Sequence, residues 1–186
     1  MVLSDFAKPK GNRVMGIDAS THSIAYAIFE NKKIIEYGEI NFEGRTVYER
    51  ILNSKKIVRA LKDRFDVDFI AIEAAVMVRS IETGLKMAYI FGSIMGELLE
   101  NGATVIEVHP ITWQSYIGNK NFTKAEKEIV KKSNPGKSDN WIKGEIRNIR
   151  KKKTLDFMSD LGVKTDSDNV ADAAGIAWYA LNELAR

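Results

Sequence analysis

The chain has no cysteine and only two histidines among its 186 residues. Without cysteine it can form no disulfide framework, no thiolate zinc site and no cysteine nucleophile. With His22 and His109 as the only imidazoles, a histidine-rich metal site is also disfavoured. This composition fits a reducing interior.

Long apolar runs are also missing. No run reaches the ~18 residues of a membrane span, and residues 1–10 lack the apolar core of a signal peptide. We therefore expect a soluble, intracellular, cytoplasmic protein with no membrane partner. The length and a hydrophobic content of 45% predict one domain over residues 1–186, with a polar tail at 1–11 and a basic insertion at about 118–150.

Positive charge is concentrated in that insertion. The net charge is +3, yet Lys120 to Lys153 contains 12 basic and 4 acidic residues. Such a cluster would neutralise nucleic-acid phosphates, although a solvated surface would look the same. The aromatic residues nearby would form the core of the insertion or stack on unpaired bases; they are Trp113, Tyr116, Phe122 and Trp141. The candidate DNA-binding residues are Lys120, Lys124, Lys127, Lys131, Lys132, Lys151, Lys152 and Lys153.

Hydrophobic periodicity predicts an α/β fold whose mixed five-stranded sheet, an antiparallel meander plus two parallel strands, is flanked by helices. Short helices are expected through the basic region. The predicted strands are Arg13–Asp18, Ser23–Glu30, Lys33–Phe42, Asp68–Glu73 and Thr104–Val108. The longer predicted helices are Arg45–Phe65, Ser80–Glu100 and Asp168–Leu184.

Two buried strands end on carboxylates, Asp18 and Glu73. An apolar strand belongs in the middle of a covered sheet, where ligands lie at the carboxyl ends of the strands. Asp18 alone is equally typical of a turn residue before Ser20. The crossover helix between the two strands predicts that they run parallel as neighbours, which would bring the two carboxylates together.

The start of the last helix carries Asp168 and Asp172 on one face. Capping explains an acid at a helix N-terminus, but Asp172 lies a full turn further in. Carboxylates without Cys or His select hard ions. The set Asp18, Glu73, Asp168 and Asp172 could hold two Mg²⁺ or Mn²⁺ ions ~3.5–4 Å apart, as in phosphodiester hydrolysis. His22 follows Asp18 by four residues and could approach, or simply lie in a surface turn.

Small residues recur every four positions in the helix at 80–100. Glycine there costs roughly 1 kcal/mol relative to alanine, so the spacing indicates a close approach. The stripe would pack either on its own sheet or on a second copy of the chain. Its members are Gly84, Ala88, Gly92 and Gly96.

Three stretches resemble the phage-type branch of the RuvC family of Holliday junction resolvases, within the RNase H and retroviral-integrase superfamily. They are Met15–Thr21, Ile70–Glu73 and Ala171–Ala177. The resemblance implies an RNase H-like nuclease fold, with Asp18, Glu73 and Asp172 as catalytic metal ligands and a fourth just upstream. It further implies a homodimer with the 80–100 helix at its interface, and paired symmetric nicks in four-way DNA junctions that leave 5′-phosphates.

The sequence departs from that family at two places. The fourth ligand of its best-known members would fall on Asn169, so we assign that role to Asp168. Residues 76–78 replace an aromatic that stacks on bases. The family's lysines near the scissile phosphate point to Lys152 and Lys153, with Lys120 in reserve. Flaps, forks or structured RNA remain alternative substrates, and a non-catalytic junction-binding protein remains an alternative function.

Overall fold

The computed structural model describes residues 13–67, 69–75, 80–100 and 104–184. The expected tail at 1–11 and the altered residues at 76–78 lie outside these ranges. The described strands are β1 (Arg13–Ala19), β2 (Ser23–Glu30), β3 (Lys33–Asn41), β4 (Phe69–Glu73) and β5 (Thr104–Val108). The described helices are α1 (Val47–Phe65), α2 (Ile81–Glu100), α3 (Pro110–Tyr116), α4 (Lys124–Ser133), α5 (Asp139–Asp160) and α6 (Asp168–Glu183).

The strands form a single five-stranded sheet in the order β3-β2-β1-β4-β5. The β1–β2 and β2–β3 pairs are antiparallel, whereas β4 is parallel to both β1 and β5. Asn31 and Lys32 form the two-residue turn between β2 and β3, with φ of 49° and 65°. The predicted mixed sheet, with its meander and its two parallel strands, is thereby confirmed.

Helices cover both faces of the sheet, and alternate residues of each strand serve the two layers. In β1, Met15 and Ile17 pack in the core with α1 and α2, whereas Val14 packs with α6. In β4, Ile72 faces the first layer and Ala71 the second. Asp18 and Glu73 continue the alternation on the α6 side, so both carboxylates lie on the side of the sheet that α6 covers.

The α6 layer lies unusually close to the sheet. A Cβ placed on Gly16 would be 2.1 Å from the carbonyl oxygen of Ala173 and 2.5 Å from the backbone nitrogen of Ala177. Any other residue at this position would therefore push the helix away. Ala173 and Ala174, two small residues of α6, are fully buried.

The basic region contains α4 and α5. The expectation of short helices there is wrong for α5, which has 22 residues and runs without a break past residue 150. Ser138 caps the start of α5, and Met158 near its end is buried against α6. Packing against α6 therefore stabilises a longer helix than the charged sequence suggested. By contrast, α4 has no buried residue.

The small-residue stripe of α2 does not pack on its own sheet. Ala88, Gly92 and Gly96 are exposed, and a Cβ added at Gly92 or Gly96 would meet nothing within 4 Å. Large apolar side chains beside it are also exposed, including Ile81 and Tyr89. The dimer alternative stays a prediction for this surface.

Across the described ranges, no helix is long and apolar enough to cross a membrane.

Candidate active site

Asp18 and Glu73 lie side by side at the carboxyl ends of two parallel strands. The last paired residues of β1 and β4 are Ile17 and Ile72, and each acid is the next residue along its strand. Asp18 is opposite Ala25 of β2, and Glu73 is opposite Val108 of β5. The sheet therefore fixes both backbones, as the sequence predicted.

Helix α6 brings Asp172 to the same place, because the contact between Gly16 and Ala173 sets the neighbouring residue of the helix beside β1. Burial raises the pKa of Asp18 from 3.8 to about 8, and the charges of Glu73 and Asp172 add to the shift. Burial and Glu73 likewise raise the pKa of Asp172 to about 7. Burial also raises the pKa of Glu73. The charges of Glu73 and Asp172 thus repel the neighbouring acids, and Lys151 offsets only part of this at Asp172.

Two buried side chains support these acids. The Nε1 of Trp113 donates a hydrogen bond to Oε2 of Glu73 over 2.8 Å. The Thr154 hydroxyl is hydrogen-bonded to the Asp172 carboxylate. The same hydroxyl accepts a hydrogen bond from the Asn119 amide, with 3.0 Å between Nδ2 and Oγ1. Sequence reasoning assigned Trp113 to the insertion core or to base stacking; the structure buries it fully beside the site.

Asp168 and Asn169 face different partners. Asp168 forms an ion pair with Lys151, and its charge helps to raise the pKa of Asp172. The Asn169 amide instead donates to Oε1 of Glu39 over 2.7 Å. Of these two residues, Asp168 is therefore the one that lies near Asp172, on the side where Lys151 lies.

Glu39 is a further carboxylate near the site that the sequence reasoning missed. It is in register with Ala25, which is in register with Asp18, so it is two strands away, roughly 10 Å. Burial raises its pKa, but hydrogen bonds from Ser167, Asn169 and Ser23 outweigh this and lower it. Glu39 consequently stays charged and ties β3 to the start of α6.

Basic side chains line a cleft of about 370 Å³ that opens beside Asp172. Lys151 is the lysine that reaches the acids, while Lys152 and Lys153 are exposed, and the Lys153 ammonium lies 5.3 Å from the Phe122 ring centroid. The Lys120 side chain is exposed too. The charged residues that line the cleft are Lys143, Arg147, Arg150, Lys151 and Asp172.

The remaining predicted residues are spread over the surface. All four lysines of α4 are exposed, and Lys131 pairs with Asp139 at 3.1 Å. Trp141 is 38% exposed, with the Lys137 ammonium 5.3 Å from its ring centroid. Tyr116 packs edge-on against Tyr179. His22 lies in an exposed turn, with Nδ1 2.7 Å from the Thr21 hydroxyl.

The donor set suits a hard divalent cation in its chemistry. It offers carboxylate oxygens without sulfur or imidazole, and the mutual repulsion of the acids is a charge imbalance that a cation would relieve. As the side chains stand, no three His, Asp or Glu residues within the described ranges are close enough to hold one ion. Rotation of side chains such as Asp18 and Asp172 would have to accompany binding.

The chain is similar to known nucleases. The family model described as crossover junction endodeoxyribonuclease RuvC matches residues 14–133. The crossover junction endodeoxyribonuclease RuvC of Helicobacter pylori strain G27 is 27% identical over 103 residues, which is 53% of this chain and 66% of that protein. The match thus spans just under two thirds of the relative's length.

Two solved structures share the fold. RuvC of Thermus thermophilus in complex with Holliday junction substrate superimposes with a TM-score of 0.65 at 17% identity, covering 92% of this chain and 96% of that chain. The yeast mitochondrial Holliday junction resolvase Ydc2 gives a TM-score of 0.58 at 16% identity, covering 98% and 82%. The family match, with which the sheet order agrees, identifies the chain as a member of the RuvC family.

Proposed function

We propose that this protein is a metal-dependent endonuclease that resolves four-way DNA junctions by paired symmetric nicks leaving 5′-phosphates. The observation that carries the proposal is the convergence of Asp18, Glu73 and Asp172 at one edge of the sheet. Burial raises the pKa of all three, and the charge of Glu73 adds to the shifts of Asp18 and Asp172. Membership of the RuvC family supports the choice of a DNA junction over other branched nucleic acids.

Asp18, Glu73 and Asp172 would hold Mg²⁺ or Mn²⁺, with Asp168 as the fourth ligand and two ions in each site. When bound, such ions generate a nucleophile from water at neutral pH and compensate negative charge on the leaving 3′ oxygen. Asp168 is paired with Lys151, so the fourth ligand becomes available when that lysine turns to another anion.

A DNA phosphate is an anion to which Lys151 could turn. Its ammonium lies at the boundary between the acids and the basic cleft, where a phosphate approaching Asp172 would be attracted and oriented. Arg147 and Arg150 line the same cleft and would hold the adjoining backbone. These residues position the strand without reading its sequence.

The basic segment supplies the remaining DNA contacts. The lysines of α4 are exposed and can each neutralise a phosphate, which makes binding salt-dependent. The exposed stripe of α2, with Gly92 and Gly96 open to solvent, forms the homodimer contact. Two sites related by a two-fold axis match the symmetry of a four-way junction and explain paired nicks.

A charge-removing substitution tests the site. Asp18→Asn should bind a synthetic junction as well as the native protein does and cut it far more slowly, since one metal ligand is lost. Asp63→Asn, on the exposed face of α1, is the matched control and should cut normally. Undiminished cutting by Asp18→Asn would refute the site assignment.

A substrate panel separates the alternatives. We expect paired nicks in a four-way junction in Mg²⁺ or Mn²⁺, and weaker cutting of flaps, forks and structured RNA of matched sequence. Preferential cutting of another member of the panel would replace the junction as substrate. Tight, salt-sensitive junction binding without nicks in either ion would show that the protein is a non-catalytic junction binder.

A further inference from the structure

We propose that Trp113 is a positioning residue that fixes the orientation of the Glu73 carboxylate, and that Gly175 provides the space it needs. The inference deepens the proposed function and rests on it, because it assigns Glu73 a role in binding an ion. Trp113 itself would touch neither the ion nor the DNA. It would act through the side chain of Glu73.

The hydrogen bond between the two residues is buried and directional. Trp113 is fully buried, and its Nε1 lies 2.8 Å from Oε2 of Glu73. An indole has one donor and no acceptor, so the direction of the bond is unambiguous. The bond engages one lone pair of Oε2 and fixes the plane in which Oε1 is presented to a ligand.

Gly175 locks the indole in place. A Cβ on Gly175 would lie 2.7 Å from both Cε3 and Cζ3 of Trp113, so α6 touches the ring directly. Glycine weakens a helix interior relative to alanine, and here the steric contact accounts for its presence. The ring is held between α6 and β4, which belong to the same core, and it cannot turn its N–H away from Glu73.

Trp113 has a second role besides packing in the core, because it connects α3 to an acid of β4. Helix α3 has only seven residues, and Trp113 is its one buried side chain. The same residue thereby anchors α3 and orients an acid of β4. A partner that orients a metal ligand through a hydrogen bond typically contributes a factor of about 10–100 to ion affinity or activity.

An atomic substitution isolates the N–H group. The Trp141→Phe/Trp178→Phe background leaves Trp113 as the one tryptophan of the chain, which can then be replaced by its benzothienyl analogue, with sulfur in place of N–H. Mn²⁺ affinity is measured by calorimetry on the DNA-free protein, and kcat and KM on a junction. We expect Mn²⁺ binding weakened about 10–100-fold and a lower kcat, with KM and melting temperature little changed.

The controls separate hydrogen bonding from packing. The background itself must bind Mn²⁺ as the native protein does, because Trp178 packs on Phe29 and Phe157 away from Glu73. Gly175→Ala should also weaken Mn²⁺ binding, although it leaves Trp113 and every acid in the sequence. Analogue-bearing protein that matches its background in Mn²⁺ affinity and kcat would overturn the positioning role, even where the native protein resolves junctions. A native protein that binds Mn²⁺ but makes no nicks would overturn the proposed function alone, and the Mn²⁺ affinities would still decide the role of Trp113.

Discussion

A Cβ on Gly16 would lie 2.1 Å from the carbonyl oxygen of Ala173, so β1 and α6 meet backbone to backbone. Asp18 is two residues beyond this contact on β1, and Asp172 is the residue before it on α6. The distance between these two acids is thus set by a glycine that takes no part in the chemistry.

Gly16→Ala should separate the two elements and disable the site. Overpacking of this kind typically costs about 1–3 kcal/mol, and the displaced α6 would carry Asp172 away from Asp18. Urea unfolding and junction cleavage measure the two effects. Gly144→Ala is the control, since an added Cβ there meets nothing within 4 Å and a helical alanine should stabilise by up to about 1 kcal/mol. Full activity in Gly16→Ala would contradict the role of this contact.

Asp18→Asn should stabilise the metal-free protein increasingly as the pH rises. The pKa of Asp18 is raised from 3.8 to about 8, so between these values the folded state holds a proton that the unfolded state has released. Stability that depends on this group therefore falls as the pH rises, and the substitution removes the dependence. Relative to the native protein, the free energy of unfolding of Asp18→Asn should rise by a few kcal/mol at high pH, on the order of 10 °C in Tm.

The measurement for this second prediction is the difference in Tm between the variant and the native protein, in EDTA, from pH 5 to pH 9. Added Mg²⁺ should reverse the sign, because the ion stabilises only the protein that retains its ligands. A difference that is constant over this pH range would show that Asp18 is not held protonated by its surroundings.

Asp18, Glu73 and Asp172 illustrate what the sequence could predict. Asp18 and Glu73 end apolar strands, and a crossover helix places such strands side by side, so their adjacency followed from pattern alone. Asp172 stands where capping does not account for an acid. These inferences needed only the hydrophobic periodicity of the strands and helices and the right-handed crossover that connects parallel strands.

Glu39 could not be placed in the same way. The two-residue turn pairs Glu30 with Lys33, and an unbroken ladder from there would set Gly38 opposite Ala25. The register shifts between Ile28 and Phe29, which brings Glu39 opposite Ala25 and turns it to the α6 face. A one-residue slip exchanges the two faces of a strand, and nothing in the local sequence announces this bulge.

Trp113 and α5 escaped prediction for a different reason. Both depend on contacts distant in sequence: Trp113 on Glu73 and Gly175, and α5 on its packing against α6. The charge and aromatic content of this region suggested a surface insertion. Local composition could not show that α6, which comes later in the chain, would cover one face of α5 and pack on Trp113.

Removing the positive charge of α4 should weaken junction binding without abolishing cleavage at saturation. Gln in place of Lys124, Lys127, Lys131 and Lys132 should reduce the slope of log affinity against log salt by about 0.9 for each DNA phosphate that the protein no longer neutralises. Fluorescence anisotropy across salt concentrations measures this. Gln in place of Lys32, in the β2–β3 turn, and of Lys33, the first residue of β3, should leave the slope unchanged, since both are exposed away from α4. An equal effect there would indicate non-specific attraction.

A bulky residue in the α2 stripe should dissociate the proposed dimer. Gly92→Leu places a side chain where close approach of a second copy is expected, while in the single chain the position is open to solvent. Sedimentation should show a dimer for the native protein and a monomer for this variant. Gly144→Leu, equally open, should remain dimeric. A monomeric native protein, or a dimer unaffected by Gly92→Leu, would remove α2 from the interface.

The most direct test of the central claim uses a four-way junction labelled in turn at the 5′ end of each strand, incubated with the native protein and Mg²⁺ or EDTA. We predict nicks at symmetric positions in two opposing strands, products that DNA ligase reseals, and no cleavage in EDTA. Cleavage that persists in EDTA, or an intact junction under conditions where the protein binds Mg²⁺ and DNA, would contradict the account.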